Sequence, residues 1–187
     1  MKRTIIESPF RNEDVIIRNE NILYVNAVAR VLSKKQAANP IFFHTFYTQF
    51  LDDDCDVERR LGLDLSFAHL NAVAEARVIT IDRGISIGMK YGVKSGVDDG
   101  QTIDVLSLSP SLQHVVDVYY ENVSNVGQAE ALEKLYQSVS SLQAINNLGD
   151  LGDYREQYSG ELLKTAELIG QFFAPLVSHC PALVKFS

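Results

Sequence analysis

The sequence predicts an α/β fold, a mostly parallel Rossmann-like sheet flanked by helices, with a C-terminal helical extension. Three observations carry this. Over residues 1–108, four short apolar runs alternate with longer stretches of helical periodicity. The first apolar run stops at Ser8-Pro9 and the third ends on Asp82. After Ser109-Pro110-Ser111 the alternation stops and only helical stripes remain. Strands alternating with helices imply parallel pairing through right-handed crossovers, with helices on both faces.

Taken in order, Thr4-Ile5-Ile6-Glu7 is the first strand and stops at Ser8-Pro9, where proline removes a backbone donor. From Asp14 to Lys35, Val15, Ile22, Val25, Ala29 and Leu32 recur at helical spacing, with Asn12 or Asp14 as the cap and Asn39-Pro40 beyond the end. Ile41-Phe42-Phe43 is the second strand, leading into His44. The acidic loop Asp52-Asp53-Asp54 precedes a helix over 57–74, with Leu61, Leu65, Ala68 and Ala72 along one face. Arg77–Ile81 is the third strand and ends on Asp82; Arg83–Met89 is a glycine-bearing turn that opens the next helix. Asp99-Gly100 turns the chain into the fourth strand, Thr102–Leu108. Beyond it, Leu132, Leu135, Tyr136, Val139, Leu142 and Ile145 form one helical stripe. Tyr158, Leu162, Ala166, Ile169, Phe173 and Leu176 form another, across the turn Gly149–Asp153. The partner of each stripe is the other helix, the α/β region or a second copy of the chain. The organisation is therefore a ligand-binding domain over 1–108 and a helical extension over 109–187.

Composition narrows the function classes. The chain has 187 residues, 46% hydrophobic and 22% charged, and a net charge of −7. That charge argues against broad binding to nucleic acid, which needs a basic surface to displace counterions. A small anion remains compatible, because helix N-termini bind phosphate inside acidic proteins. No apolar stretch approaches the roughly 20 residues that span a bilayer, and MKRTIIESPF lacks the pattern of a signal peptide. Cys55 and Cys180 fit no ligand pattern and read as free thiols in a reducing cytoplasm. No metal or cofactor is expected.

In open α/β sheets the ligand lies at the carboxyl ends of the strands, beside the point where strand order reverses. Those ends carry Ser8-Pro9-Phe10, His44, and the segment Asp82-Arg83-Gly84-Ile85-Ser86-Ile87-Gly88-Met89. Glycines 84 and 88 allow a sharp bend and close approach to a ligand, and a helix starting near 86–88 aims unpaired N–H groups at it. The spelling GxSxG also matches a hydrolase nucleophile elbow, but no plausible histidine and acid follow in proper order, and the domain is too short for that fold. His44 reads either as a ligand contact or as a histidine bonded to a backbone carbonyl. Tyr24 and Tyr47 read as packing residues ahead of base-stacking platforms. Arg59 and Arg60 would pin a phosphate or pair with the acidic loop.

The residues carry a more specific pattern. Ser8-Pro9-Phe10 ends the first strand, Asn21 and Tyr24 lie in the first helix, and Pro40 precedes His44. Tyr47-Thr48-Gln49 with Leu51-Asp52-Asp53 follows, then Glu58-Arg59-Arg60-Leu61-Gly62, then Asp82 to Met89. In these five ordered motifs the chain resembles small phage and bacterial members of the nucleoside 2-deoxyribosyltransferase-like superfamily. The resemblance covers residues 4–108. It implies a homo-oligomer binding a nucleoside or nucleotide as its small-molecule partner, with ligand contacts from Ser8, Pro9, Phe10, Asn21, His44, Asp82, Gly84, Ser86, Gly88 and Met89. Active members cleave or exchange an N-glycosidic bond, using a glutamate three residues after the methionine and an aspartate near the base. Here the first of these positions is Gly92, which supplies no carboxylate. Asp82 is the best replacement; Glu75 lies at the wrong end of its strand, and Glu58 serves its helix dipole. Three accounts follow: a nucleotide-binding protein without ordinary glycosidic catalysis, an enzyme with a rearranged carboxylate set, or an interaction module acting through the helical tail.

Overall fold

A computed structural model describes residues 1–42 and 46–142, all within one compact unit, Met1–Leu151. The α/β architecture is as expected: a four-stranded parallel sheet in the order β2-β1-β3-β4, flanked by helices. The strands are β1 (Lys2–Glu7), β2 (Ala38–Ile41), β3 (Ala76–Thr80) and β4 (Thr102–Leu106). The helices are α1 (Val15–Lys34), α2 (Asp56–Leu65), α3 (Ile87–Asp98), α4 (Gln113–Val126) and α5 (Gln128–Ser140). The central strands β1 and β3 are the most buried, and their runs of Ile and Val are what a strand covered on both faces requires. The chain leaves β1 toward β2 and returns on the other side through β3, so strand order reverses between β1 and β3.

Asp14 caps α1, its side chain accepting from Ile16 N at 2.8 Å, while Asn12 Oδ1 holds Asp14 N at 2.9 Å. Of the stripe predicted for α1, Val25, Ala29 and Leu32 are buried, whereas Val15 is exposed in the first turn.

Two expectations are corrected. The second strand, expected over 41–43, starts at Ala38 and ends at Ile41, and Phe43 lies outside the described residues. Pro40 sits within it, paired with Thr4, because β2 is an edge strand where a missing N–H costs no ladder bond. The helix expected over 57–74 ends at Leu65, followed by a π turn at Ser66–Leu70 and a 3-10 turn at Asn71–Val73. Its buried positions are Gly62, Ser66 and Asn71, while Leu61, Ala68 and Ala72 are exposed. A polar cluster and a cavity lie on that side, so the inward positions are small and polar.

On one sheet face Ile79, Ile81, Ile103 and Val105 pack with Met89 and Val93 of α3, Val115, Val116 and Tyr119 of α4, and Ala131, Leu132, Leu135 and Val139 of α5. The first helical stripe thus has the α/β sheet as its partner. The second stripe and the turn 149–153 lie outside the described residues. Side chains of α4 and α5 also reach β4's outer rim: Gln128 Oε1 accepts from Ile103 N at 3.0 Å, Tyr119 Oη donates to Ile103 O at 2.8 Å, and Tyr120 Oη accepts from Val105 N at 3.4 Å. No helix of the described residues is long and apolar enough to cross a membrane.

Asp82, fully buried just past β3, ties these layers together. Its carboxylate accepts from Tyr24 Oη of α1, Ser107 Oγ at 2.5 Å, Leu108 N at 3.0 Å and Ser109 N at 2.9 Å. Stranding buried donors costs about 1–3 kcal/mol each. Asp82→Ala should therefore lower the unfolding free energy by at least about 3 kcal/mol in a urea titration. Glu75→Ala, which breaks an exposed pair with Arg3, should leave the urea midpoint nearly unchanged.

Candidate functional site

A cavity of about 350 Å³ opens at the carboxyl ends of β1 and β3, where strand order reverses. That volume lies in the range of small-molecule pockets. Three segments distant in sequence form it: Glu7 to Arg11 after β1, residues 47–67 around α2, and Ser86 to Gly92 at the start of α3. Phe10, Tyr47, Leu63, Phe67 and Met89 give it apolar and aromatic wall; Glu7, Arg11, Asp53, Glu58, Arg59 and Arg77 give it charge.

The turn after β3 forms as its glycines dictate. Gly84 adopts φ +77°, a left-handed conformation that favours glycine. Ser86 then caps α3: its Oγ accepts from Met89 N at 3.3 Å, and its own N–H donates to Met89 Sδ at 3.4 Å. The N–H groups of Ile87 and Gly88, in the first turn of α3, make no hydrogen bond among the described residues, and both residues line the cavity.

Of the residues singled out in the sequence, Ser8, Phe10, Ser86, Gly88 and Met89 line the cavity. Asn21 stands behind it as a clip, its Nδ2 donating to Phe10 O at 3.0 Å and its Oδ1 accepting from Arg83 Nε at 2.6 Å. It joins the loop after β1 to the turn after β3. Pro9 and Gly84 shape those two loops without being among the cavity-lining residues, and Asp82 is enclosed by its four donors. His44 lies outside the described residues. Tyr24 is a packing residue whose hydroxyl, bonded to Asp82, is held well above its ordinary range by burial and by the Asp82 charge. Tyr47 lines the cavity and meets Phe46 and Phe50 edge-on. Arg59 pairs with Asp53 at 2.7 Å. Glu58 accepts from Asp52 N at 2.7 Å. Among the described residues no cluster of three or more His, Cys, Asp or Glu could hold a metal.

The residue that sequence reasoning missed is Glu7. It ends β1, is almost fully buried, and pairs with the fully buried Arg77 of β3. Arg77 is held by its other nitrogens: Nε donates to Gln101 Oε1 at 2.8 Å, and Nη2 donates to Asn71 Oδ1. Helix α3 crosses the pair with glycine at 92 and 96. A Cβ at 92 would lie 2.2 Å from Glu7 Oε1, and one at 96 would lie 2.4 Å from Arg77 Nε. Gly92 is thus the opening through which Glu7 reaches the cavity wall. The available signal was a charged residue directly after the apolar pair Ile5-Ile6 in a central strand, with an arginine in the neighbouring strand.

Burial raises the Glu7 carboxyl from 4.5 to about 7, with Arg77 opposing the rise. Between those values the folded chain holds a proton that the unfolded chain has lost. Stability from this group is full below about pH 4.5 and is lost as pH rises through about 7, by up to about 3 kcal/mol. Urea titrations across this window should show that decline in the wild type and its absence in Glu7→Gln. Gly92→Ala should cost about 1–3 kcal/mol through overpacking, and distinctly less when Glu7 is already alanine, as a double-mutant cycle would show.

Residues 2–106 match the family model described as Domain of unknown function (DUF7768). No curated protein and no solved structure matches the chain.

Proposed function

The chain belongs to the DUF7768 family, and we propose that its cavity binds a nucleoside, a nucleotide or a nucleotide-derived small molecule, holding it without ordinary glycosidic cleavage. The observation that carries this reading is the convergence of Ser8–Phe10 and Ser86–Met89 on one cavity at the reversal of strand order. Aromatic and apolar wall from Phe10, Phe67 and Met89 suits a planar base. The N–H groups of Ile87 and Gly88, with Arg11 beside the cavity, suit a phosphate. The resemblance to the nucleoside 2-deoxyribosyltransferase-like group points the same way. Gly92, with no carboxylate of its own, supports holding over chemistry. The reading is of a cytoplasmic homo-oligomer acting on a small molecule, and the net charge of −7 supports the exclusion of nucleic acid.

One observation favours a second reading, an N-glycosidic hydrolase or transferase. Glu7 brings a carboxyl against Gly92, and its value of about 7 suits proton transfer near neutrality.

A thermal-shift screen of nucleosides, nucleotides and cyclic or ADP-ribose-derived compounds tests both. A ligand at a hundredfold excess over its Kd should stabilise the fold by about 2.7 kcal/mol and raise the melting temperature by roughly 5–10 °C. A ligand recovered intact supports holding; free base and sugar support the enzyme. No shift with any compound overturns the binding reading.

A further inference from the structure

Glu7 presents an arrangement that the fold alone does not need. Its carboxyl sits on the cavity wall with its side chain nine-tenths buried. Oε1 is bonded by Arg77 Nη1, while Oε2 makes no hydrogen bond among the described residues. Arg77 is spent on Glu7, Gln101 and Asn71, and those partners are themselves fixed. Gln101 Nε2 donates to Asn71 O at 3.1 Å and to Ala74 O at 3.2 Å, and Asn71 Nδ2 donates to Ser95 Oγ at 2.6 Å. The carboxyl is thus clamped by Arg77 at one oxygen, and the other is left without a donor among the described residues. A buried acceptor without a donor is destabilising, and a ligand that supplies the donor recovers that loss.

Helix α3 is shaped around this group. A Cβ at 92 would fall within 2.6 Å of the Glu7 carboxyl carbon and both its oxygens, so any side chain there would displace the carboxyl. The glycine keeps the acceptor at the wall.

Resting on the reading of the cavity as a nucleoside or nucleotide site, we propose that Glu7 is its specificity-determining residue: Oε2 accepts a hydrogen bond from a sugar hydroxyl or base amine of the ligand, and Arg77 positions it. Ligands lacking that donor are rejected, because the buried acceptor is then left without water and without a partner. Above about pH 7 the ionised carboxylate accepts only, so there a ligand offering a carbonyl at that point is also excluded.

The test is calorimetric titration at pH 8, above the Glu7 value of about 7, with the four ribonucleoside 5′-monophosphates. The best binder is then compared with its 2′-deoxy, 3′-deoxy and deamino forms. In the wild type one of these removals should weaken binding at least about tenfold: a deoxy form identifies the donor as a sugar hydroxyl, the deamino form as a base amine. Glu7→Gln, checked for native fold by circular dichroism, should weaken the parent and erase that discrimination. Should Glu7→Gln not fold, the analogue series on the wild type decides: equal binding of all four forms overturns the assignment. Unchanged discrimination in a folded Glu7→Gln overturns it while leaving the binding reading intact. A wild type that binds none of the monophosphates overturns this assignment, and the binding reading falls with it only when the wider thermal-shift screen also gives no shift.

Discussion

The Glu7–Arg77 ion pair sets the terms for the structure around it. Two charges taken out of water are tolerated only when their geometry is tight and their remaining polar atoms are met. Here Asn71 and Gln101 meet the guanidinium, and the elements that supply them are bent to do so. The helix after the acidic loop breaks into π and 3-10 turns as the chain approaches Asn71. Helix α3 gives up side chains at 92 and 96 so that the pair fits beneath it. The cavity is the space left beside this cluster.

A second constraint works just past the carboxyl end of β3. Asp82 gathers donors from α1 and from the residues after β4, and Asn21 joins the two loops beside it. The cavity wall formed by these loops is held by groups that do not touch the cavity. That separates two roles the sequence alone presents as one. Residues clustered at a strand end include those that face a ligand and those that hold the backbone still.

Much of the fold was legible because its signals are local. Apolar runs bounded by Ser-Pro, Asp or Asp-Gly marked the strands, and the order of strands and helices implied a parallel sheet and the edge where a cavity would form. Ser8, Phe10, Ser86, Gly88 and Met89 drew attention because they follow the carboxyl ends of strands, where an open α/β sheet leaves its crevice. What was illegible depended on partners distant in sequence. Strand β2 shifted because edge placement, invisible locally, makes Pro40 harmless. The α2 face was misjudged because its neighbours are a polar cluster and a cavity, so apolar spacing pointed the wrong way. Gly92 read as an absence, and only the packing of β1 against α3 makes it an opening for Glu7. Asp82 drew attention as a lone acid at a strand end, and its four donors became visible only with the chain folded.

The bonds from Gln128, Tyr119 and Tyr120 to β4 carry a consequence for where this fold can be cut. The family match stops at residue 106, the last residue of β4. A chain ending there would keep every strand yet present β4 as a bare rim, with N–H and C=O groups of Ile103 and Val105 turned outward and the isoleucines of one sheet face uncovered. Such a rim is a template for pairing with another chain. The two helices after the matched segment therefore complete the sheet, and a piece of this protein cut at residue 106 would lose the cover of that rim.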